Sequence, residues 1–360
     1  MDSRRRICTL MPCLLFCLLP WAARPLLAGE IPAAWQPGVA GDLAFETGNF
    51  LTRMAYAKPD RASKDLAEDG AYGAVDRAWD KAHRGKWYIE EQRYGFDAVA
   101  AGLAYQRQDL LDRAEKIYDW GFEQEGPDGG FPCGDAYHSA SFFIEAVAHS
   151  ALLIQASPMG PANQAWIRSM EPKLRLAVQW MMDPANQAAG RRRDAPYTHR
   201  DYLDAAALGE SGILLGDAAM VARSKDYLEQ GIARQDPSGF NPEKGGWDTS
   251  YHCVGLLFAL GYYSLVADDA TRAELRPMIV NGLNWLRGRM RPDGTVDQSG
   301  NTRTGLGQEK GRNGKFKTMS YGSAWRAAYY WAMISGDKSW VEVAKRLHHG
   351  QDVEKRQKRF

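Results

Sequence analysis

Asp236-Pro-Ser-Gly-Phe-Asn-Pro-Glu-Lys-Gly-Gly-Trp-Asp-Thr-Ser-Tyr-His-Cys-Val-Gly-Leu-Leu-Phe258 joins a loop to a helix. Its first half is broken by Gly and Pro, and its second half is an unbroken apolar run. Gly126-Pro-Asp-Gly-Gly-Phe-Pro-Cys-Gly-Asp-Ala-Tyr-His138 leads into another apolar run in the same way. Arg291-Pro-Asp-Gly-Thr-Val-Asp297 opens a third and longer loop. The recurrence predicts one supersecondary unit, repeated along the chain.

Working outward from these loops, apolar and amphipathic helical patterns alternate. Residues 87–106, 136–156, 201–215, 249–266 and 321–334 are apolar on most sides. Residues 110–124, 163–182, 218–233, 269–290 and 338–349 carry their charges on one face. Two further helices are expected over 43–57 and around 74–83. An apolar helix must be surrounded, whereas an amphipathic one can face water. The alternation therefore predicts an all-α chain of five or six helical hairpins, with an inner and an outer ring, an (α/α)5-6 toroid. An open solenoid of the same hairpins is the structural alternative. No βαβ rhythm or strand alternation is present, which argues against a doubly wound sheet.

The connections are asymmetric. Apolar helices pass to their partners through short turns such as Gly216-Asp217 and Gly336-Asp337, and the partners return through long loops. In a ring, every long loop then emerges at the N-terminal ends of the inner helices, where binding and catalysis concentrate.

The ends read differently. Arg4-Arg5-Arg6, an apolar run over 7–23 and small residues at Ala22, Ala23 and Ala28 have the order of a secretory signal peptide over 1–28. An extended lead-in over 29–41, one toroid domain over 42–350 and a charged, frayed tail over 351–360 are expected to follow. Loss of the leader takes Arg4, Arg5, Arg6, Arg24 and Asp2, moving the formal charge from +1 to −2. This near-neutrality gives no electrostatic case for a nucleic-acid partner or an anionic membrane surface. Arg191-Arg192-Arg193 reads as a solvated loop. Of five cysteines, Cys133 and Cys253 remain after the leader, at equivalent loop-to-helix positions, and two unpaired thiols are expected. No metal-type Cys/His spacing occurs, and no metal or other cofactor is expected.

A polar and aromatic cluster stands at each inner-helix start. Glu90, Glu91, Arg93 and Tyr94 form the first, and Asp135, Tyr137 and His138 the second. The third is Tyr197, His199, Arg200, Asp201 and Tyr202; the fourth is Glu243, Lys244, Trp247, Asp248, Tyr251 and His252. Asn301, Arg303, Gln308, Glu309, Lys310 and Tyr321 form the fifth. Asp135, Asp201 and Asp248 are also candidates for plain N-caps. The Tyr-His steps at 137–138 and 251–252 are read as one register. Aromatic faces that cover sugar rings, beside charged forks that read hydroxyls and carboxylates, fit a carbohydrate.

The hairpin alternation and the Asp-Gly-x-(Phe/Val) loops before inner helices resemble the α/α-toroid carbohydrate-active enzymes. That group includes alginate-lyase-like polysaccharide lyases and several glycoside hydrolase families. The resemblance covers nearly the whole chain after the leader. It implies a poly- or oligosaccharide substrate and, for a lyase, Tyr and His as base and acid. The Asn-Asn-His segment typical of the alginate lyases is absent.

Three readings stay open. A lyase cleaving a uronate glycan by β-elimination would draw its base and acid from His199, Tyr251, His252, Tyr137 and His138. Arg200, Lys244, Asn301 and Arg303 would hold the uronate carboxylate, with Arg93, Tyr94, Tyr197, Tyr202, Trp247 and Glu309 lining the cleft. A hydrolase would need two carboxyl groups, with Asp248 and Glu243 best placed. A non-catalytic exopolysaccharide-binding or export-assisting protein would need only the aromatic lining. All three are expected in the periplasm or outside the cell.

Overall fold

A computed structural model describes residues 87–311 and 314–357. The signal peptide, the lead-in and the helices expected before residue 87 lie outside the described residues.

The described chain starts with a short 3-10 helix, Ile89–Tyr94, followed by eleven α-helices. These are α1 (Gly95–Tyr105), α2 (Gln108–Glu123), α3 (Ala136–Gln155), α4 (Gly160–Met182), α5 (Pro184–Asp194) and α6 (Thr198–Leu215). They continue with α7 (Ala218–Arg234), α8 (Thr249–Leu265), α9 (Asp269–Gly288), α10 (Tyr321–Ser335) and α11 (Ser339–Gln357).

Each apolar helix packs on the amphipathic one that follows it: α1 on α2, α3 on α4, α6 on α7, α8 on α9 and α10 on α11. The apolar helices also pack on one another in the order α1, α3, α6, α8, α10. The row curls round. Tyr330 of α10 lies within electrostatic reach of Glu145 of α3 and Glu210 of α6, and Arg326 of α10 within reach of Asp97 of α1. The result is an α/α toroid, with five hairpins among the described residues.

The inner helices are buried almost all round, as in α6, where residues Thr198 to Gly212 are inaccessible without a break. Small residues let them approach. A Cβ on Gly231 of α7 would stand 2.7 Å from the Tyr202 ring of α6. Aspartates fix the starts of several helices. Asp183, Asp217, Asp248 and Asp268 each accept backbone N–H groups of the following first turn.

Three segments depart from the sequence expectation. The stretch expected as one helix from residue 87 begins instead as the 3-10 turn. Arg191-Arg192-Arg193 lies not in a loop but in α5, whose signals are an Asp183 cap and Pro184 at the first helical position. The charged tail continues α11 to Gln357. Gly350 is no helix stop; it is a contact point, because a Cβ there would lie 2.0 Å from the Gly294 carbonyl oxygen.

As expected, the loops preceding α3, α8 and α10 are long, and each emerges at an inner-helix start. Before α6 the helix α5 takes the place of a loop. Cys253 is fully buried, and no bond joins it to Cys133.

Candidate active site

The loop over 236–248 is lashed to the start of α6. The Lys244 N–H donates to the Pro196 carbonyl at 2.7 Å, and the Thr198 hydroxyl donates to the Pro242 carbonyl at 2.6 Å. This lays Glu243 against His199. Glu243 Oε1 accepts from the His199 backbone N–H at 3.0 Å and lies 2.8 Å from His199 Nδ1. Its other oxygen accepts from Arg303 at 2.9 Å.

Glu243 and His199 are both buried. Burial alone would raise the Glu243 carboxyl, but His199 and Arg303 outweigh it and hold the group below its ordinary range. Burial pushes His199 down; Glu243 opposes this, and Arg303 and Arg200 add to it. His199 is therefore a neutral imidazole beside a carboxylate. The carboxylate accepts a hydrogen bond from Nδ1–H, which leaves the Nε2 lone pair free to accept a proton. The His199 ring centroid lies 4.8 Å from that of Tyr251, a half-buried residue in the first turn of α8.

Cations frame this pair. The Arg303 guanidinium sits 3.5 Å from the Tyr251 ring centroid and 4.3 Å from that of Tyr197. Lys317 Nζ stands 5.0 Å from the Tyr251 ring. Glu309 ties the cations together, accepting from Lys317 at 2.6 Å and Arg303 at 3.3 Å and pairing with Lys244. Burial would raise Glu309; its three cations hold it at about 2. Arg200 pairs with Asp194 and Asp135 and lies under Tyr197.

The row of side chains continues from His199 to His138, 6.2 Å away between ring centroids, then to Phe142 at 4.8 Å from His138. Arg93 lies 4.6 Å over Phe142 and 5.0 Å from the Tyr94 ring. One strip thus runs from Arg93 and Tyr94 through Phe142, His138, His199 and Tyr251 to Arg303 and Lys317.

Several sequence candidates are turned away from that strip. Both ring nitrogens of His252 are engaged by backbone: Nδ1 accepts from the Asn241 N–H at 3.1 Å, and Nε2 donates to the Gly282 carbonyl at 3.0 Å. Burial lowers it to about 4, so it is a fixed neutral strut. Tyr137 hydrogen-bonds the Tyr227 hydroxyl at 2.7 Å behind α3. The Tyr202 ring is sealed between α6 and α7. Trp247 packs on Phe240 and under Arg289, and its Nε1 donates to the Ser299 carbonyl.

Asp248 is a structural knot. Oδ1 accepts the Ser250 and Tyr251 N–H groups, and Oδ2 accepts the Arg303 and Thr304 N–H groups and the Thr304 hydroxyl. Asn301 accepts from the Thr249 N–H and donates to the Thr249 and Thr304 hydroxyls, pinning the same loop. Asp135 and Asp201 do not cap; they pair with Arg193 and Arg234.

Sequence reading missed Phe142, Lys317 and Asn241. Phe142 is one turn beyond His138, a helical spacing that could have revealed it. Lys317 has no local signal, because the 301–320 loop folds back through the Lys310–Phe316 bridge to deliver it. Asn241 is wholly buried, and among the described residues neither of its amide atoms has a partner.

No protein-family model matches this sequence, and no curated protein matches it. Among solved structures, the chain is similar to a chondroitin AC lyase mutant from Streptomyces coelicolor A3, at 13% identity and a TM-score of 0.57. The match covers 90% of this chain and 48% of that one, so the chain spans about half the length of the lyase. At this identity the likeness concerns the fold.

Proposed function

We propose that the protein is a polysaccharide lyase that cleaves a uronate-containing glycan by β-elimination. The observation that carries this reading is the His199 imidazole, kept neutral by burial, oriented by Glu243 and set beside Tyr251 under Arg303. Elimination needs an acceptor for the proton next to the uronate carboxylate, a donor for the leaving oxygen and positive charge for the enolate that develops between them.

His199 Nε2 accepts the C5 proton. The electron pair released forms the C4–C5 double bond, the C4–O4 bond breaks, and the Tyr251 hydroxyl delivers a proton to O4. Arg303 and Lys317 provide positive charge beside the uronate carboxylate, where acidity at C5 is made. Glu243 is a positioning residue: it fixes the His199 tautomer and stabilises the imidazolium once formed. The fold likeness to a lyase agrees with this reading. The leader-like order of residues 1–28 supports a place of action outside the cytoplasm.

The hydrolase alternative loses its best carboxyl pair. Asp248 is saturated by five donors, and Glu243 is locked between His199 and Arg303 in its ionised form, so neither is placed to act as a general acid.

A panel of uronate and neutral glycans, scored for both unsaturated ends and reducing ends, tests the proposal. Unsaturated products that vanish in Tyr251→Phe and His199→Ala are the expected result. Reducing ends without unsaturation would establish hydrolysis, and binding without turnover would make the protein a glycan carrier.

A further inference from the structure

At the axis of the toroid, beyond the Arg93 end of the strip, three metal-ligating side chains converge. Glu145 and His149 stand four residues apart on α3, so both project from one face of that helix. Glu210 meets them from α6. His149 Nδ1 lies 3.1 Å and 3.2 Å from the two Glu210 oxygens and 3.9 Å from Glu145 Oε1. One ligand atom from each of the three falls within 4.8 Å of the others. His149 lies about 16 Å along α3 from His138 at the cleft wall, eleven residues at the helical rise.

The surroundings are built around this cluster. Glu210 is fully buried and His149 nearly so. The Phe96 ring of α1 stands edge-on to His149 at 5.2 Å. On α8, the absence of a side chain at Gly261 leaves room, since a Cβ there would come 3.2 Å from Glu210 Oε1 and 3.7 Å from the His149 ring. Two carboxylates and one imidazole are gathered inside the ring, where unshared charge is costly in a medium of low dielectric. Arg93 is the cation in electrostatic reach of Glu145, and Tyr330 adds a phenol from α10.

We propose that Glu145, His149 and Glu210 form a binding site for a divalent transition-metal ion of the zinc class, which clamps α3 to α6. A bond length of about 2.1 Å to nitrogen or oxygen puts tetrahedral donors about 3.4 Å apart, and the separations here lie to either side of that. One imidazole nitrogen with two carboxylate oxygens suits zinc or manganese better than calcium, which takes oxygen alone. Two carboxylates with a neutral imidazole cancel the ion's charge. Three protein ligands leave its fourth position for water. The pattern escapes a sequence scan because no Cys/His motif is involved and the third ligand lies on another helix.

The experiment is isothermal titration of the chelator-treated full chain with zinc chloride, then manganese chloride, at pH 7 without glycan, alongside thermal unfolding. One ion per chain and a melting temperature raised by several degrees are expected. Glu210→Gln, which keeps the side-chain shape, loses at least a hundredfold in affinity and the thermal gain. Glu145→Gln, at the more accessible edge, weakens binding at least tenfold and serves if the Glu210 variant does not fold. Absence of binding in the wild type, or equal binding in the wild type and Glu145→Gln, overturns the proposal. Neither readout involves turnover, so the result is independent of the lyase reading.

Discussion

Two Tyr-His steps, 137–138 in α3 and 251–252 in α8, are identical as dipeptides and opposite in use. In α3 the histidine joins the cleft wall and the tyrosine is buried behind it on Tyr227. In α8 the tyrosine joins the cleft and the histidine is buried behind it on backbone groups. The cause is phase. His138 is the third residue after Asp135, and Tyr251 is the third after Asp248. One residue more or less turns a helical side chain by about 100°, enough to exchange cleft for wall. The shared register inferred from the dipeptides is thus displaced by one position, and distance from the helix start decides which member meets a ligand.

The sharpest way to break this contrast is to remove the reacting groups. His199→Ala and Tyr251→Phe are each expected to lower kcat by roughly 10²- to 10⁴-fold, as loss of a proton-transfer group does. Tyr137→Phe should leave turnover unchanged and cost about 1 kcal/mol of stability, read by urea unfolding. Equal turnover in Tyr251→Phe and Tyr137→Phe would erase the distinction.

The next effect concerns the strut. His252→Ala leaves a cavity and two unpaired backbone groups, a loss of about 3 kcal/mol. The intact residue also makes stability depend on pH. Its folded value of about 4 lies below the ordinary 6.5 of the unfolded chain. The unfolded state therefore takes up the proton first as pH falls, and native stability declines between about pH 6.5 and 4, by about 3 kcal/mol in full. His252→Gln should lack that share of the decline, which denaturant unfolding at pH 7 and pH 5 measures.

Glu243→Gln sharpens the role of His199. Catalysis requires the neutral imidazole, so kcat/KM is lost as pH falls through the lowered His199 value. Removing the Glu243 charge removes the attraction that favours imidazolium, and the acid limb moves to still lower pH while kcat falls. A limb that stays in place would deny the contact its function.

The smallest effects are expected at the rim. Lys317→Ala should lower kcat/KM for a uronate polymer about threefold to tenfold, and by less at high salt. His138→Ala should act on KM within about the same range and leave kcat near wild type.

The fold was legible because burial is written in composition. An inner helix such as α3 has no polar face to offer water, and α2 has one, so layer and order follow from the alternation. Capping was partly legible: Asp248 is a cap, whereas Asp135 and Asp201 resemble caps and form ion pairs instead. Helix α5 was hidden by its arginines, although Asp183-Pro184 marked its start. The site was less legible, for two physical reasons. Which side chain faces the cleft depends on helical phase, which shifts with one inserted residue. Which loop residue arrives there depends on a long segment folding back, and nothing near Lys317 announces its approach to Tyr251.

The five-donor carboxylate of Asp248 has a consequence for anyone who would re-engineer this cleft. It fastens the first turn of α8 to residues 303–304, so Tyr251 and Arg303 are carried on a single mechanical part built from two distant stretches of chain. Transplanting either loop alone into another toroid would sever the fastening, and moving the Asp248 loop alone would leave a buried acid with two of its five donors. Residues 236–252 and 299–317 are therefore one interchangeable cassette, and a graft that preserves the cleft must move both.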